Sequence, residues 1–242
     1  ARKPIGLICI APVLAAKVLG TAAGGPGCTV TIGEDAATAQ AIAAPEQQAF
    51  ALEGVDPQQY RAWLSQRGLA VMVMRNVTTR DDADRQQPFN LRVPGGVSTV
   101  GAGGRVYDIA HMQFFQGDQI RGIGGPTSPS DGRRVLAQHL HDPASVAANL
   151  PNPGGPAAST AVHPDGSVAF YVPTRRALTW QLTAPDGTPV VRERFWISAQ
   201  PGEVRACDGC HGVNRDSQAG ASAAQNVALA FRELLAAWRT EQ

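Results

Sequence analysis

Apolar residues recur at helical spacing after a well-marked helix start in the first third of the chain. Asp56 is a good N-cap, Pro57 suits the first helical position, and Tyr60 and Leu64 fall on one face. Gly68 can end such a helix, because glycine adopts the left-handed conformation without strain. The pattern therefore predicts a helix between Asp56 and Gly68.

Two other stretches also favour helices. The run from Asp35 to Leu52 is rich in Ala and Gln, although Pro45 splits it. Near the C-terminus, Ser222 and Gln225 have the spacing of a capping box. The helix predicted there buries a face of apolar residues at helical spacing, namely Val227, Phe231, Leu234, Leu235 and Trp238.

The remaining apolar runs are short and are bounded by Gly, Pro or Asp-Gly, which is typical of β-strands. The predicted strands are Leu69 to Val77, Phe89 to Val93, Arg105 to Phe115, Val168 to Val172, Leu178 to Thr183 and Val190 to Ser198. Asp186-Gly187 indicates a hairpin between the last two. We expect a mainly β fold with a few α-helices, of the α+β class.

Two stretches, Gly117 to Arg133 and Asp142 to Pro156, are crowded with Gly, Pro, Ser and Asn. The second has the composition of a linker. We therefore expect a mixed α/β region over residues 1–155 and a β-rich region over 156–242, which could still pack as one unit.

Composition and charge exclude several functions. The chain has 21 basic and 20 acidic residues and a net charge of +1, so we expect it not to bind nucleic acid. The apolar stretch from Ile5 to Leu19 is interrupted by Pro12 and Lys17, and we interpret it neither as a membrane span nor as a signal peptide. The sequence reads as a mature protein or as a piece of a larger one.

One motif carries specific chemistry. Cys207-Asp208-Gly209-Cys210-His211 has the C-x-x-C-H pattern of c-type haem attachment. Two thiols at this spacing can reach the two vinyl groups of a porphyrin, and the adjacent imidazole can bind the iron. The motif predicts one covalent haem c on Cys207 and Cys210, with His211 as an iron ligand.

Other interpretations of the motif are weaker. A thioredoxin-like redox pair needs a β-α-β setting, which the pattern here does not provide. A zinc site needs two more ligands, and Cys9 and Cys28 lack paired spacing. Because haem c is attached in an oxidising compartment, we expect a Cys9–Cys28 disulfide, with two buried thiols as the alternative.

The C-terminal third resembles a known family. The run from Ala161 to Pro173, then Trp180-Gln181-Leu182, and Gln200 to Glu203 before the C-x-x-C-H motif, is similar to the haem-bearing segment of hydrazine synthase alpha-subunit-like proteins. This resemblance implies haem attachment at Cys207, Cys210 and His211. Such proteins are generally larger and often carry another haem, whereas this chain has one C-x-x-C-H motif.

Arginines near the motif are candidates to pair with the haem propionates, because a guanidinium binds a carboxylate in a bidentate manner. Arg194 and Arg205 are the first candidates, and a solvated charged face is the alternative for each. The wider set of candidates adds Arg175, Arg176 and Arg192.

The second axial ligand of the iron must come from upstream of the motif, because the predicted terminal helix contains neither Met nor His. Our first candidate is His141, which the neighbouring Asp142 could orient, and His139 and His111 come next. The next possibility is that the second axial position of the iron is open or is filled by a partner protein. The remaining candidates are Met112 and His163, with Met72 and Met74 ranked lower because their strand reads as core.

These features predict a β-rich, Gly/Pro-rich cytochrome c domain that is not of class I and has a helix after the haem motif. The expected function is electron transfer by a monohaem cytochrome in the bacterial periplasm or outside the cell, rather than enzymatic catalysis. Expected partners are a redox protein or other cytochrome subunits, in an oligomer or a larger complex. One alternative is the haem domain of a larger oxidoreductase or gas-binding protein with an open iron site. The other is a structural cytochrome subunit of a complex or polymer.

Overall fold

The computed structural model describes residues 44–80, 89–101, 103–120, 134–193, 195–207, 220 and 224–241. All of them belong to one compact unit, residues 42–242. Cys9, Cys28 and the stretch from Ile5 to Leu19 lie outside the described residues. None of the described helices is long and apolar enough to cross a membrane.

The described part contains four helices and eleven strands. The helices are α1 (Ala44–Glu53), α2 (Pro57–Gln66), α3 (Pro143–Ala148) and α4 (Leu229–Thr240). The strands are β1 (Leu69–Met74), β2 (Phe89–Arg92), β3 (Ser98–Thr99), β4 (Arg105–Asp108), β5 (His111–Ile120), β6 (Arg134–His139), β7 (Ser159–Ala161), β8 (Val168–Pro173), β9 (Ala177–Thr183), β10 (Pro189–Arg192) and β11 (Val204–Cys207). The mainly β composition with a few helices agrees with the predicted α+β class.

The strands form three sheets. The first, which we call the central sheet, has the order β11-β1-β8, with β11 parallel and β8 antiparallel to β1. The second, the large sheet, has the order β10-β9-β5-β6, with β7 pairing the first residues of β5. The third has the order β3-β2-β4. Strands from both sides of position 155 therefore pair within the central sheet and within the large sheet.

The central sheet is covered on both faces, which explains why β1 is buried along its whole length. Met72 packs into a core that also contains Phe114 of the large sheet, and Phe114 stacks on Phe170 of β8 at 4.3 Å. Val71 points to the opposite face and packs with the apolar residues of α1, α2 and α4. Alternate residues of one strand thus serve two cores, as the two-residue repeat of a strand requires.

The helix that begins after Asp56 is confirmed. The Asp56 carboxylate accepts a hydrogen bond from the Gln58 N–H at 2.7 Å, and Pro57 occupies the first turn. Gly68 has a φ of +65°, as expected after the helix end. The described part of the second predicted helix is α1, and Pro45 lies in its first turn. The predicted residues before Ala44 lie outside the described part.

The continuous strand predicted from Arg105 to Phe115 is wrong, because the chain changes sheets within it. The Ile109 N–H donates to the carbonyl of Arg92, the last residue of β2, whereas the Ala110 N–H donates to the Thr183 carbonyl in the large sheet. The run therefore divides into β4 and β5.

The strand predicted from Val190 to Ser198 is also shorter than expected. β10 ends at Arg192, and the Phe195 N–H donates to the Glu193 carboxylate at 2.9 Å. This local turn interrupts the strand, and Ile197 then forms only an isolated bridge to Leu178.

The stretch from Asp142 to Pro156, which its composition marked as a linker, contains α3 and packs against the central sheet. The Asp142 side chain caps α3 by accepting from the Ser145 N–H at 2.9 Å. After the helix, the Asn149 amide accepts from the Tyr171 N–H and donates to the Tyr171 carbonyl, both at 2.8 Å. A side chain thus takes the place of a neighbouring strand at the edge of β8.

The capping box predicted at Ser222 and Gln225 does not start the last helix, because α4 begins at Leu229. Its first amides are instead bound by a turn from elsewhere in the chain. Leu229 N–H donates to the Asp165 carboxylate at 3.1 Å, and Ala230 N–H donates to the Ser167 hydroxyl at 3.0 Å. The predicted apolar face is confirmed within α4 for Phe231, Leu234, Leu235 and Trp238, which are buried, whereas Val227 precedes the helix and is partly buried.

Candidate haem-attachment site

The strand β11 carries the start of the C-x-x-C-H motif to the edge of the central sheet. Cys207 is its last residue and is the register partner of Met74 in β1. The backbone bond from the Arg75 N–H to the Cys207 carbonyl, 2.9 Å long, ends the ladder. Cys207 is half-buried and packs against the core between the central and large sheets. Cys210 and His211 lie outside the described residues.

Residues at alternate positions of β11 share a face. Arg205 lies two residues before Cys207 and pairs in register with Met72, so it belongs to the same face as the cysteine. Its guanidinium binds the Glu203 carboxylate, with its Nε and Nη2 atoms both 2.6 Å from Oε1. Pairing of Arg205 with a propionate would therefore compete with Glu203.

The other arginines are held differently. Arg192 donates to the Gln181 side chain at 2.8 Å and lies over the Phe115 ring, with 5.0 Å between Cζ and the ring centroid. Arg175 and Arg176 occupy the turn between β8 and β9, where Arg175 has a φ of +58°. Arg194 lies outside the described residues.

The histidine candidates for the second axial position are spread over the fold. His141 follows β6 in the large sheet, is exposed, and has its Nδ1 2.9 Å from the His139 carbonyl, to which it can donate. His139 is exposed and packs its ring against Phe115 at 5.4 Å. His111 is buried at the start of β5, with Nδ1 3.2 Å from the Asn152 amide nitrogen. His163 pairs with Glu233 at 3.0 Å.

The methionine candidates are core residues. Met72 and Met112 are 0% exposed and Met74 is 1% exposed. Their burial agrees with the interpretation of the first strand as core. Of all the candidates, Met74 is the one that lies directly opposite Cys207 in the sheet. His141 follows a strand of a different sheet from the one that contains Cys207, and its assignment as an iron ligand stays a prediction.

A buried charged pair beside the motif was not found from the sequence. Arg75, which follows β1, is 4% exposed and binds Glu46 of α1, which is 1% exposed. No local signal indicates this pair, because 29 positions separate the two residues. Within the described residues, no group of three or more His, Cys, Asp or Glu side chains could hold a metal ion.

The donor set of the motif fits a covalent haem. Two thiols and an imidazole are the groups that attach haem c and bind its iron, and the described thiol already lies against an apolar core. Exclusion of water on that side would suit a porphyrin, whose faces are apolar. The residues that would hold the group are Cys207, Cys210 and His211.

The described residues have a mixed α+β fold with Cys207 at a sheet edge, and comparison with known proteins shows what this part of the chain is similar to. Residues 113–212 match the family model described as the hydrazine synthase alpha subunit middle domain. The match covers about two fifths of the chain and includes the whole C-x-x-C-H motif. It begins well upstream of Ala161, where the resemblance seen in the sequence begins. This part of the chain is therefore similar to that domain.

Among solved structures, the chain is similar to one titled Kuenenia stuttgartiensis hydrazine synthase, at 19% sequence identity and a TM-score of 0.38. The aligned region covers 67% of this chain and 20% of that chain. The chain thus spans about a fifth of the length of the protein it matches. A comparison with curated proteins found no match.

Proposed function

We propose that this chain is a haem-bearing part of a larger oxidoreductase assembly related to hydrazine synthase. The observation that carries the proposal is the family match over residues 113–212, because it includes Cys207, Cys210 and His211 within one similar domain. The family match therefore favours the haem domain of a larger oxidoreductase over a free monohaem electron carrier.

The residues have separate roles in this proposal. Cys207 and Cys210 would hold the haem through their thiols, and His211 would bind its iron. When bound, the haem iron supplies one-electron redox chemistry or a position for a small molecule. Arg205 shares the face of Cys207, and it could bind a propionate by exchanging its contact with Glu203. Haem c and a Cys9–Cys28 disulfide both belong to an oxidising compartment, so we place the protein in the periplasm or outside the cell.

The first test is covalent attachment. We expect the denatured protein to keep haem-dependent peroxidase staining on a gel, and its mass to exceed that of the polypeptide by one haem. The double variant Cys207→Ser/Cys210→Ser should lose both signals. The matched variant Cys9→Ser/Cys28→Ser removes two cysteines outside the motif. It should keep both the peroxidase staining and the added mass of one haem. Pigment that is fully removed by acid-acetone extraction of the wild type would exclude covalent haem.

A second measurement separates the assembly proposal from simple electron transfer. Carbon monoxide binds ferrous haem only where the sixth position is open or its ligand is displaced. A shifted absorption band on exposure to the gas favours the haem domain of a larger enzyme or a gas-binding protein. An unchanged spectrum favours a six-coordinate electron carrier, and His141 is then the first ligand to replace.

A further inference from the structure

Arg75 is a buried arginine whose side chain binds Glu46. Its Nε and Nη2 atoms donate to the two oxygens of Glu46 at 2.9 and 2.8 Å, in the bidentate geometry that suits guanidinium and carboxylate. Burying two charges is costly, and such a pair is often no more stabilising than apolar side chains of similar volume. The pair is therefore weak evidence for a stabilising role.

The same arginine contacts the chain on both sides of the segment from residue 208 to residue 223. Its backbone N–H donates to the Cys207 carbonyl at 2.9 Å, where the chain enters this segment. Its Nη1 donates to the Ala224 carbonyl at 3.1 Å, and its carbonyl accepts from the Asn226 amide at 2.9 Å, where the chain returns. One residue thus joins the two ends of the stretch that contains Cys210 and His211.

The second end is also tied to the rest of the fold. The Asn226 amide that binds the Arg75 carbonyl also donates to the Asp165 carboxylate at 3.0 Å. That carboxylate caps α4. Arg75, Asn226 and Asp165 therefore link the end of the segment to the start of the last helix.

We propose that Arg75, oriented by Glu46, is the positioning residue of the haem-attachment segment, holding both of its ends at the edge of the central sheet. This inference rests on the proposed function. Fixing the ends of a loop removes much of the conformational entropy that attachment would otherwise cost. It also fixes where Cys207 leaves the sheet, and an axial ligand depends on such outer contacts for its orientation.

The chain offers a matched pair of variants for the test. Arg75→Lys keeps the charge beside Glu46, but a lysine cannot reach Glu46 and the Ala224 carbonyl together. Arg232→Lys makes the same change in another arginine bound to a glutamate of α1, since Arg232 Nε lies 2.6 Å from Glu53 Oε1. The Arg75 side chain is 5% exposed and that of Arg232 is 39% exposed, so a purely structural role predicts a larger loss of stability in Arg75→Lys, with no selective change at the haem-attachment segment.

Two measurements on the full chain separate the variants. The first is the rate of limited trypsin cleavage after Arg215, which lies within the segment. We expect Arg75→Lys to raise this rate about tenfold, the effect of losing one hydrogen bond to a charged group, and Arg232→Lys to leave it near the wild-type rate. The second is the ferric haem spectrum, which should change in Arg75→Lys only.

Equal cleavage rates and unchanged spectra in the two variants would overturn the positioning role. If Arg75→Lys fails to fold by circular dichroism, Glu46→Gln and its matched control Glu53→Gln replace the pair. Failure of the proposed function gives a different result from failure of the positioning role, because the wild type would then carry no haem. The cleavage rates would still decide whether Arg75 holds the segment.

Discussion

At the scale of single residues, two tyrosines meet in the core on the helix side of the central sheet. Tyr60 of α2 is 0% exposed and donates a hydrogen bond to the hydroxyl of Tyr171 in β8, which is 2% exposed, at 3.0 Å. Burial raises the pKa of Tyr60 well above its ordinary value, and burial also raises the pKa of Tyr171. Both hydroxyls therefore stay protonated in the folded protein at pH values where an unfolded chain loses their protons.

This difference predicts a loss of stability in alkali. Above pH ~10, the unfolded state releases two protons that the folded state keeps, so the free energy of unfolding falls by about 1.4 kcal/mol per pH unit for each tyrosine. Urea unfolding at pH 8 to 11 measures the slope. The variant Tyr60→Phe/Tyr171→Phe should have a shallower slope, whereas Tyr107→Phe, which changes an exposed tyrosine, should not. Equal slopes in wild type and double variant would contradict the pH linkage.

At the scale of elements, the same turn sequence occurs twice with different tertiary roles. Pro-Asp-Gly at Asp165 and again at Asp186 forms a turn in which the aspartate accepts from the N–H two residues later, at 3.0 and 2.9 Å. The two glycines that follow both have positive φ. Only Asp165 uses its second oxygen to bind the Leu229 N–H at the start of α4. Sequence alone cannot separate the two turns.

Replacing each aspartate by alanine separates the local from the tertiary role. Asp165→Ala removes the turn bond, the bond from Asn226 and the cap of α4, and should lower the free energy of unfolding by about 1–3 kcal/mol. Asp186→Ala removes only an exposed turn bond and should cost much less. Urea unfolding measures the difference, and hydrogen exchange should become faster at the first amides of α4 in Asp165→Ala only. Equal losses in the two variants would show that the tertiary contacts of Asp165, with α4 and with Asn226, add nothing.

At the scale of the whole molecule, the central sheet is assembled from distant parts of the chain. The middle strand, β1, comes from before position 155, and both of its neighbours, β8 and β11, come from after it. The helices that cover this sheet also come from both sides of position 155, and α4 packs against both α1 and β8. Cooperative folding should therefore require residues from both sides of that position.

A fragment of residues 156–242 tests this dependence. Without β1, both neighbouring strands lose their backbone partner and the apolar core that covers them, so we expect an unfolded chain. Circular dichroism and an amide correlation spectrum should show no fixed structure in this fragment, whereas residues 42–242 should unfold cooperatively. Mixing it with residues 42–155 should restore structure. Independent, cooperative unfolding of 156–242 would instead establish a separate domain there.

Signals that act over a few residues were sufficient for much of the fold. The helix after Asp56 follows from a side-chain cap, a proline and a glycine within 13 positions, and the first strand follows from an unbroken apolar run. The C-x-x-C-H motif is itself local, so the candidate haem site could be named from the sequence. The apolar face of α4 follows in the same way from helical spacing.

Contacts between distant residues were decided only by the tertiary structure. Arg75 reaches Ala224 and Asn226 across 149 and 151 positions, and no local pattern indicates such partners. The start of α4 was misplaced because its cap comes from Asp165 rather than from its own sequence. The run from Arg105 to Phe115 reads as one strand, since a change of sheet depends on which strands stand beside it. Local chemistry determines what each segment can form, and packing determines where it ends and which residues it meets.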